Sequence, residues 1–118
     1  EYAQIKKSGY FNVHFHDPEL QMTIENPIIH QHAKELPASD IVIIALKTTE
    51  NYQMAQFLSH CLTQNTIVLI IQNGIGNEEW ISQFTANCAL VCGVSTMGAT
   101  RVDALTVDIP YRGDLKIS

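Results

Sequence analysis

No stretch of this chain is both long and apolar. The longest unbroken apolar run, Ile41 to Leu46, is six residues, far short of the roughly 20 that a membrane-spanning helix needs. The N-terminal Glu1-Tyr2-Ala3-Gln4-Ile5-Lys6-Lys7 has no apolar signal core either. Basic residues are scarce: 7 against 12 acidic, a formal charge of −5, with no cluster larger than the Lys6-Lys7 pair. Nucleic-acid binding needs a basic face, so neither nucleic acid nor a membrane is expected as a partner. Cysteine is also rare. Cys61, Cys88 and Cys92 are odd in number, sit in apolar surroundings and form no CxxC pair. That is the pattern of reduced core thiols in a cytoplasmic protein. No GxSxG elbow is present, which argues against a Ser-His-Asp hydrolase. The chain does not start with Met, so it is expected to be a piece of something longer.

What remains is ordinary globular material. The 118 residues are 46% hydrophobic and 16% charged, enough for a domain with a core and unlike a disordered tail. Residues 2–8 suit the end of a helix, closed by Gly9. Tyr10 to Phe15 is aromatic and β-branched, Asp17-Pro18 signals a turn, and Gln21 to Glu25 alternates polar and apolar. Together they predict a hairpin over 10–25. Residues 26–39 contain Pro27 and Pro37 and read as a short strand plus connection.

From Asp40 the pattern changes. Ile41 to Leu46 and Ile67 to Ile71 are apolar at every position, as strands buried on both faces of a parallel sheet are. Between them Met54, Phe57, Leu58, Cys61 and Leu62 recur at helical spacing, with Thr48 or Thr49 available as a cap. Asn77 to Phe84 opens with a capping residue and two carboxylates, a helix start. Ala89 to Val94 is a third buried strand. Trp80, on a helical face, reads as core. Leu105-Thr106-Val107 and Leu115-Lys116-Ile117 are short β segments. The whole reads as hairpin, βαβαβ, then more β.

Open parallel sheets bind ligands beyond the carboxyl ends of their strands. Here those ends are Lys47-Thr48-Thr49, Gln72 to Asn77, and Ser95 to Thr100, predicted to share one rim. Lys47 follows six apolar residues; its ammonium must emerge over the rim, where it meets either an anion or only water. Asn73-Gly74-Ile75-Gly76 combines an amide donor and acceptor with two glycines that permit close backbone approach. It is not a dinucleotide fingerprint, since Glu79 holds the third glycine position. Gly98-Ala99 suits a tight turn or the passage of a flat ring. His14-x-His16 and His30-x-His32 would share strand faces, but no Cys or acidic partner has matching spacing, so no metal site is expected.

Ala45-Leu46-Lys47, then Gln72 to Glu79, then Gly93-Val94-Ser95-Thr96-Met97-Gly98-Ala99 resemble, in order and spacing, the ketopantoate reductases (2-dehydropantoate 2-reductases). The match is best over residues 40–101. The resemblance implies a Rossmann-like, doubly wound, mostly parallel α/β sheet, with residues 1–118 forming part of an NAD(P)-binding domain. It implies NADPH-dependent reduction of 2-dehydropantoate to pantoate, a step of pantothenate and coenzyme A biosynthesis. By the same resemblance Lys47 and Asn73 bind NADP(H), Asn73 also touches the keto acid substrate, and Ala99 contacts the cofactor through its backbone. The family's GxGxxG turn and its reader of the 2′-phosphate would precede Glu1. Its catalytic lysine and substrate-binding acidic residue would follow Ser118, so no catalytic residue is expected here and these residues alone should be inactive. A homo-oligomer is compatible with this picture. Two other readings stand beside it: a related dehydrogenase of another keto or hydroxy acid, and a non-catalytic dinucleotide-binding or interaction domain.

Overall fold

A computed structural model describes residues 2–17, 20–85 and 87–118. In chain order the elements are α1 (Tyr2–Ser8), β1 (Tyr10–Phe15), β2 (Met22–Glu25), β3 (Ile41–Ile44), α2 (Met54–Cys61), β4 (Ile67–Ile70), α3 (Asn77–Thr85), β5 (Ala89–Ser95), β6 (Gly98–Arg101), β7 (Thr106–Tyr111) and β8 (Leu115–Ile117). Short 3-10 turns occupy Ala33–Glu35 and Thr48–Gln53. The chain divides into two compact units. One joins Glu1–Gln31 to Thr96–Asp114, and the other joins His32–Ser95 to Leu115–Ser118.

The first unit is a four-stranded sheet of order β2-β1-β7-β6. The expected hairpin is there: β1 pairs antiparallel with β2, Tyr10 opposite Glu25 and Val13 opposite Met22. Pro18 of the expected turn lies outside the described residues. β7 joins β1 in parallel and pairs antiparallel with β6. The 26–39 segment forms no strand. Its only regular structure is the Ala33–Glu35 3-10 turn, whose His32 N–H donates to the Glu35 carboxylate at 3.4 Å. The two prolines remove ladder donors from a segment already short of β-branched residues.

The second unit is the predicted βαβαβ. β3, β4 and β5 run parallel, with Ile41 beside Ile67 and Ile67 beside Ala89. β8 closes the β5 side antiparallel. Ile44, Val68 and Ile70 point into a core with Met54, Leu58 and Cys61 of α2 and Ile81 of α3. Trp80 packs against that core and tilts onto Phe84, ring centroids 4.7 Å apart. The expectation that these strands are buried on both faces holds for one face only. Alternate side chains of a strand point to opposite faces. Both helices pack on the face of Ile44, Val68 and Ile70, leaving Ile41 at 60% and Ile43 at 58% exposure on the other.

The two predicted helix caps also differ. Thr48 and Thr49 lie inside the 3-10 turn, and the residue before α2 is Gln53. Asn77 is the first residue of α3 rather than its cap, and the Trp80 N–H reaches back to the Gly76 carbonyl.

Candidate functional site

The carboxyl ends of β3 and β4 are held side by side. The Ile71 N–H, one residue past β4, donates to the carbonyl of Ile44, the last residue of β3, at 3.0 Å. Beyond it the chains diverge around a cleft of about 380 Å³ lined by Ala45, Leu46, Lys47, Thr48, Thr49, Ile71, Gln72 and Asn73. Lys47 sits at the entry to the 3-10 turn, its carbonyl accepting the Glu50 N–H at 2.8 Å. Its side chain is exposed, and Asn73 is exposed across the cleft. The structure thus brings together the two side chains singled out from the sequence on one wall and the other of a single opening.

The turn from β4 to α3 needs its glycines. Gly74 and Gly76 adopt φ of +119° and +84°, conformations that L side chains rarely enter. A Cβ at Gly74 would also stand 3.4 Å from the Asn77 amide nitrogen.

The third predicted rim segment is different from its expectation. Gly98-Ala99 is neither a tight turn nor a loop: it lies in β6, the edge strand of the first unit. The β6–β7 register shifts between Gly98 and Thr100. Ala99, which is exposed, therefore sits at an irregularity, where a bulge leaves ladder groups unpaired. Thr96 accepts the Asp114 N–H on its hydroxyl at 2.9 Å and donates its own N–H to the Asp114 carbonyl at 3.0 Å. That hydroxyl is a structural lock between strand ends.

Other candidates resolve quietly. His16 lies 3.1 Å from the Asp108 carboxylate on the exposed side of the first unit. Among the described residues no three His, Cys, Asp or Glu gather as a metal site would require. The three cysteines are free; Cys61 is buried, and Cys88 donates its thiol to the Thr63 carbonyl at 3.3 Å. No helix among the described residues is long and apolar enough to cross a membrane.

Sequence reading missed the polar floor of the cleft. Gln72 is 8% exposed and donates both amide hydrogens, to the Leu46 carbonyl and to Asn51 Oδ1, each at 2.7 Å. Asn51 Nδ2 donates to Asn77 Oδ1 at 3.3 Å, and Asn77 Nδ2 to the Asn73 carbonyl at 3.4 Å. A glutamine directly after an apolar run was the available signal, since such a residue must satisfy its amide near the strand end.

A parallel α/β sheet with its opening at the carboxyl ends of β3 and β4 is the architecture of a Rossmann-like domain. The chain belongs to the ketopantoate reductase PanE/ApbA family, whose model matches residues 1–118. A 2-dehydropantoate 2-reductase of Nostoc sp. is 33% identical over 104 residues, covering 88% of this chain and 32% of that protein. The chain thus spans about a third of that relative's length. Among solved structures, the 2-dehydropantoate 2-reductase of Geobacter metallireducens GS-15 superposes with a TM-score of 0.83 at 21% identity, over 92% of this chain and 35% of that one. A D-mandelate dehydrogenase solved with NADH and anilino(oxo)acetate superposes with a TM-score of 0.77 at 20% identity, over 98% of this chain and 36% of that one. These likenesses establish the fold.

Proposed function

We propose that this chain supplies part of the NADP(H)-binding domain of a cytoplasmic reductase that converts 2-dehydropantoate to pantoate, on the way to pantothenate and coenzyme A. The observation that carries this reading is the shared cleft, with Lys47 and Asn73 at the ends of adjacent parallel strands. Its donor set fits a dinucleotide: one ammonium for a phosphate, the hydroxyls of Thr48 and Thr49, an amide offering both donor and acceptor, and no carboxylate in the lining. When bound, the cofactor supplies the hydride for the ketone carbon. Lys47 holds the cofactor electrostatically. Asn73 orients the nicotinamide end and the keto acid beside it. The proton for the ketone oxygen is not assigned to any residue of this chain.

The test uses the complete protein. NADPH and NADH are each offered with 2-dehydropantoate and with an aryl-substituted 2-keto acid, and oxidation of the cofactor is followed by absorbance. The highest kcat/KM should belong to NADPH with 2-dehydropantoate. A preference for NADH and the aryl keto acid would reject that substrate and favour a related dehydrogenase. Cofactor binding with no turnover of either acid would favour a non-catalytic dinucleotide-binding domain.

A further inference from the structure

The amides under the cleft form a chain with a direction. It begins at Gln72, which donates to the Leu46 carbonyl and to Asn51, and passes through Asn51 and Asn77 to the Asn73 carbonyl. Both ends are main-chain carbonyls, which only accept. Gln72 must therefore spend its nitrogen on both sides, while Asn51 and Asn77 each accept on the side of Gln72 and donate towards Asn73. The first anchored carbonyl belongs to the residue immediately before Lys47, and the last belongs to Asn73 itself. The chain thus ties the loop after β3, the Thr48–Gln53 turn and the start of α3 to one another. The Gln72 Oε1 atom is buried and unpartnered. The amide is therefore held through its nitrogen alone, by the bonds to the Leu46 carbonyl and Asn51.

Resting on the cofactor-site reading above, we propose that Gln72, with Asn51 and Asn77, is a positioning bridge that sets the separation of Lys47 from Asn73. None of the three need touch the ligand. They act through the backbone positions of the two residues that do. Catalysis is sensitive to such placement, since a displacement of about 1 Å can cost on the order of a hundredfold in rate.

Two near-isosteric variants of the complete protein test the bridge. Gln72→Glu replaces both N–H donors by acceptors that face the Leu46 carbonyl and Asn51 Oδ1. Asn51→Asp keeps the bond from Gln72 but loses the donor to Asn77, freeing the Asn77 amide to turn from the Asn73 carbonyl to the new carboxylate. Backbone hydrogen–deuterium exchange over 46–51 and 72–77 needs no substrate and should quicken in both segments together in each variant. The kcat/KM for NADPH should fall by roughly tenfold to a hundredfold. In Gln72→Glu the deficit should narrow as pH falls, because a protonated carboxyl regains one donor. In a Lys47→Ala background the same substitution should add little, because the two act as one unit.

Unchanged exchange in both segments would overturn the bridge. So would an equal activity loss with and without Lys47, since Gln72 would then act independently of it. Coupled loosening in a protein that turns over no keto acid would uphold the bridge and reject the functional reading instead. If Gln72→Glu does not fold, Asn51→Asp, which keeps the Gln72–Leu46 bond, decides the matter by the same exchange readout.

Discussion

Lys47 is the one charged residue lining the cleft at the ends of β3 and β4. It is exposed, so removing it does not open the core. In the complete protein Lys47→Ala should weaken NADPH binding by about 1.5–3 kcal/mol, the range for a hydrogen bond to a charged group, with the melting temperature unchanged. Fluorescence titration against thermal melting separates the two effects, and an unaltered Kd would remove Lys47 from the cofactor site. Cys61 poses the opposite case, a titratable group with no role in the cleft. Burial pushes its thiol above the ordinary value of 9.0, and its Sγ–H donates to the Phe57 carbonyl at 3.4 Å. A folded pKa above the unfolded one means the folded state holds the proton longer. The contribution is therefore complete below about pH 9 and is lost as pH rises from there through the folded value. Urea titrations from pH 8 upward should show stability falling with an alkaline slope that Cys61→Ala reduces. The same slope in the variant would mean that other groups are responsible.

Between elements, the passage from β7 towards β8 depends on one backbone conformation. Gly113 adopts φ of +58°, and a Cβ there would lie 2.5 Å from the Met97 nitrogen and 2.6 Å from the Thr96 carbonyl carbon. Both obstacles are backbone, in a segment already bonded to Asp114. The left-handed conformation costs a non-glycine residue about 1–2 kcal/mol, and relief of the collision must come on top. Gly113→Ala should thus destabilise the fold by at least about 2 kcal/mol in equilibrium unfolding; a loss under about 0.5 kcal/mol would show that the two segments part easily. The elements themselves were largely legible in the residues. Unbroken apolar runs marked β3, β4 and β5, and the three- and four-residue spacing of Met54, Leu58 and Cys61 marked α2. Polar segments were harder. Thr48–Gln53 wind as a 3-10 turn, where Asn51 meets a glutamine 21 residues away, and no local pattern encodes that meeting. Gly98-Ala99-Thr100 has turn-like composition, yet it pairs as a strand because β7 offers it a partner. Lys47 and Asn73 could be placed together because parallel strands bring their carboxyl ends to one side. The amide bridge could not, since it needs the spacing between loops that only the folded chain supplies.

At the scale of the whole polypeptide, β3 ends its sheet, and among the described residues it pairs with β4 alone. Its other side presents N–H and C=O groups with no strand beside them. Ile41 and Ile43 are largely exposed on the face away from α2 and α3. Along the same strand runs a groove of about 350 Å³, bordered by Leu36, Pro37, Phe57 and Cys61. Edge strands in native proteins are usually blunted by charge, proline or a bulge, and Ile41 to Leu46 contains no proline and no charge. An unblunted apolar edge beside an apolar groove is a template for strand addition and a surface that favours association. A polypeptide of these 118 residues should therefore self-associate. Light scattering on a size-exclusion column should give a mass that rises with concentration. Ile43→Lys places a charge on the exposed face of the edge strand, outside the packed side of the sheet, and should shift the population towards monomer while circular dichroism stays the same. A parent polypeptide that remains monomeric across the concentration range would show that this edge is protected by something other than its own sequence. Monomer formation on Ile43→Lys accompanied by lost secondary structure would show that Ile43 supports the fold rather than the association.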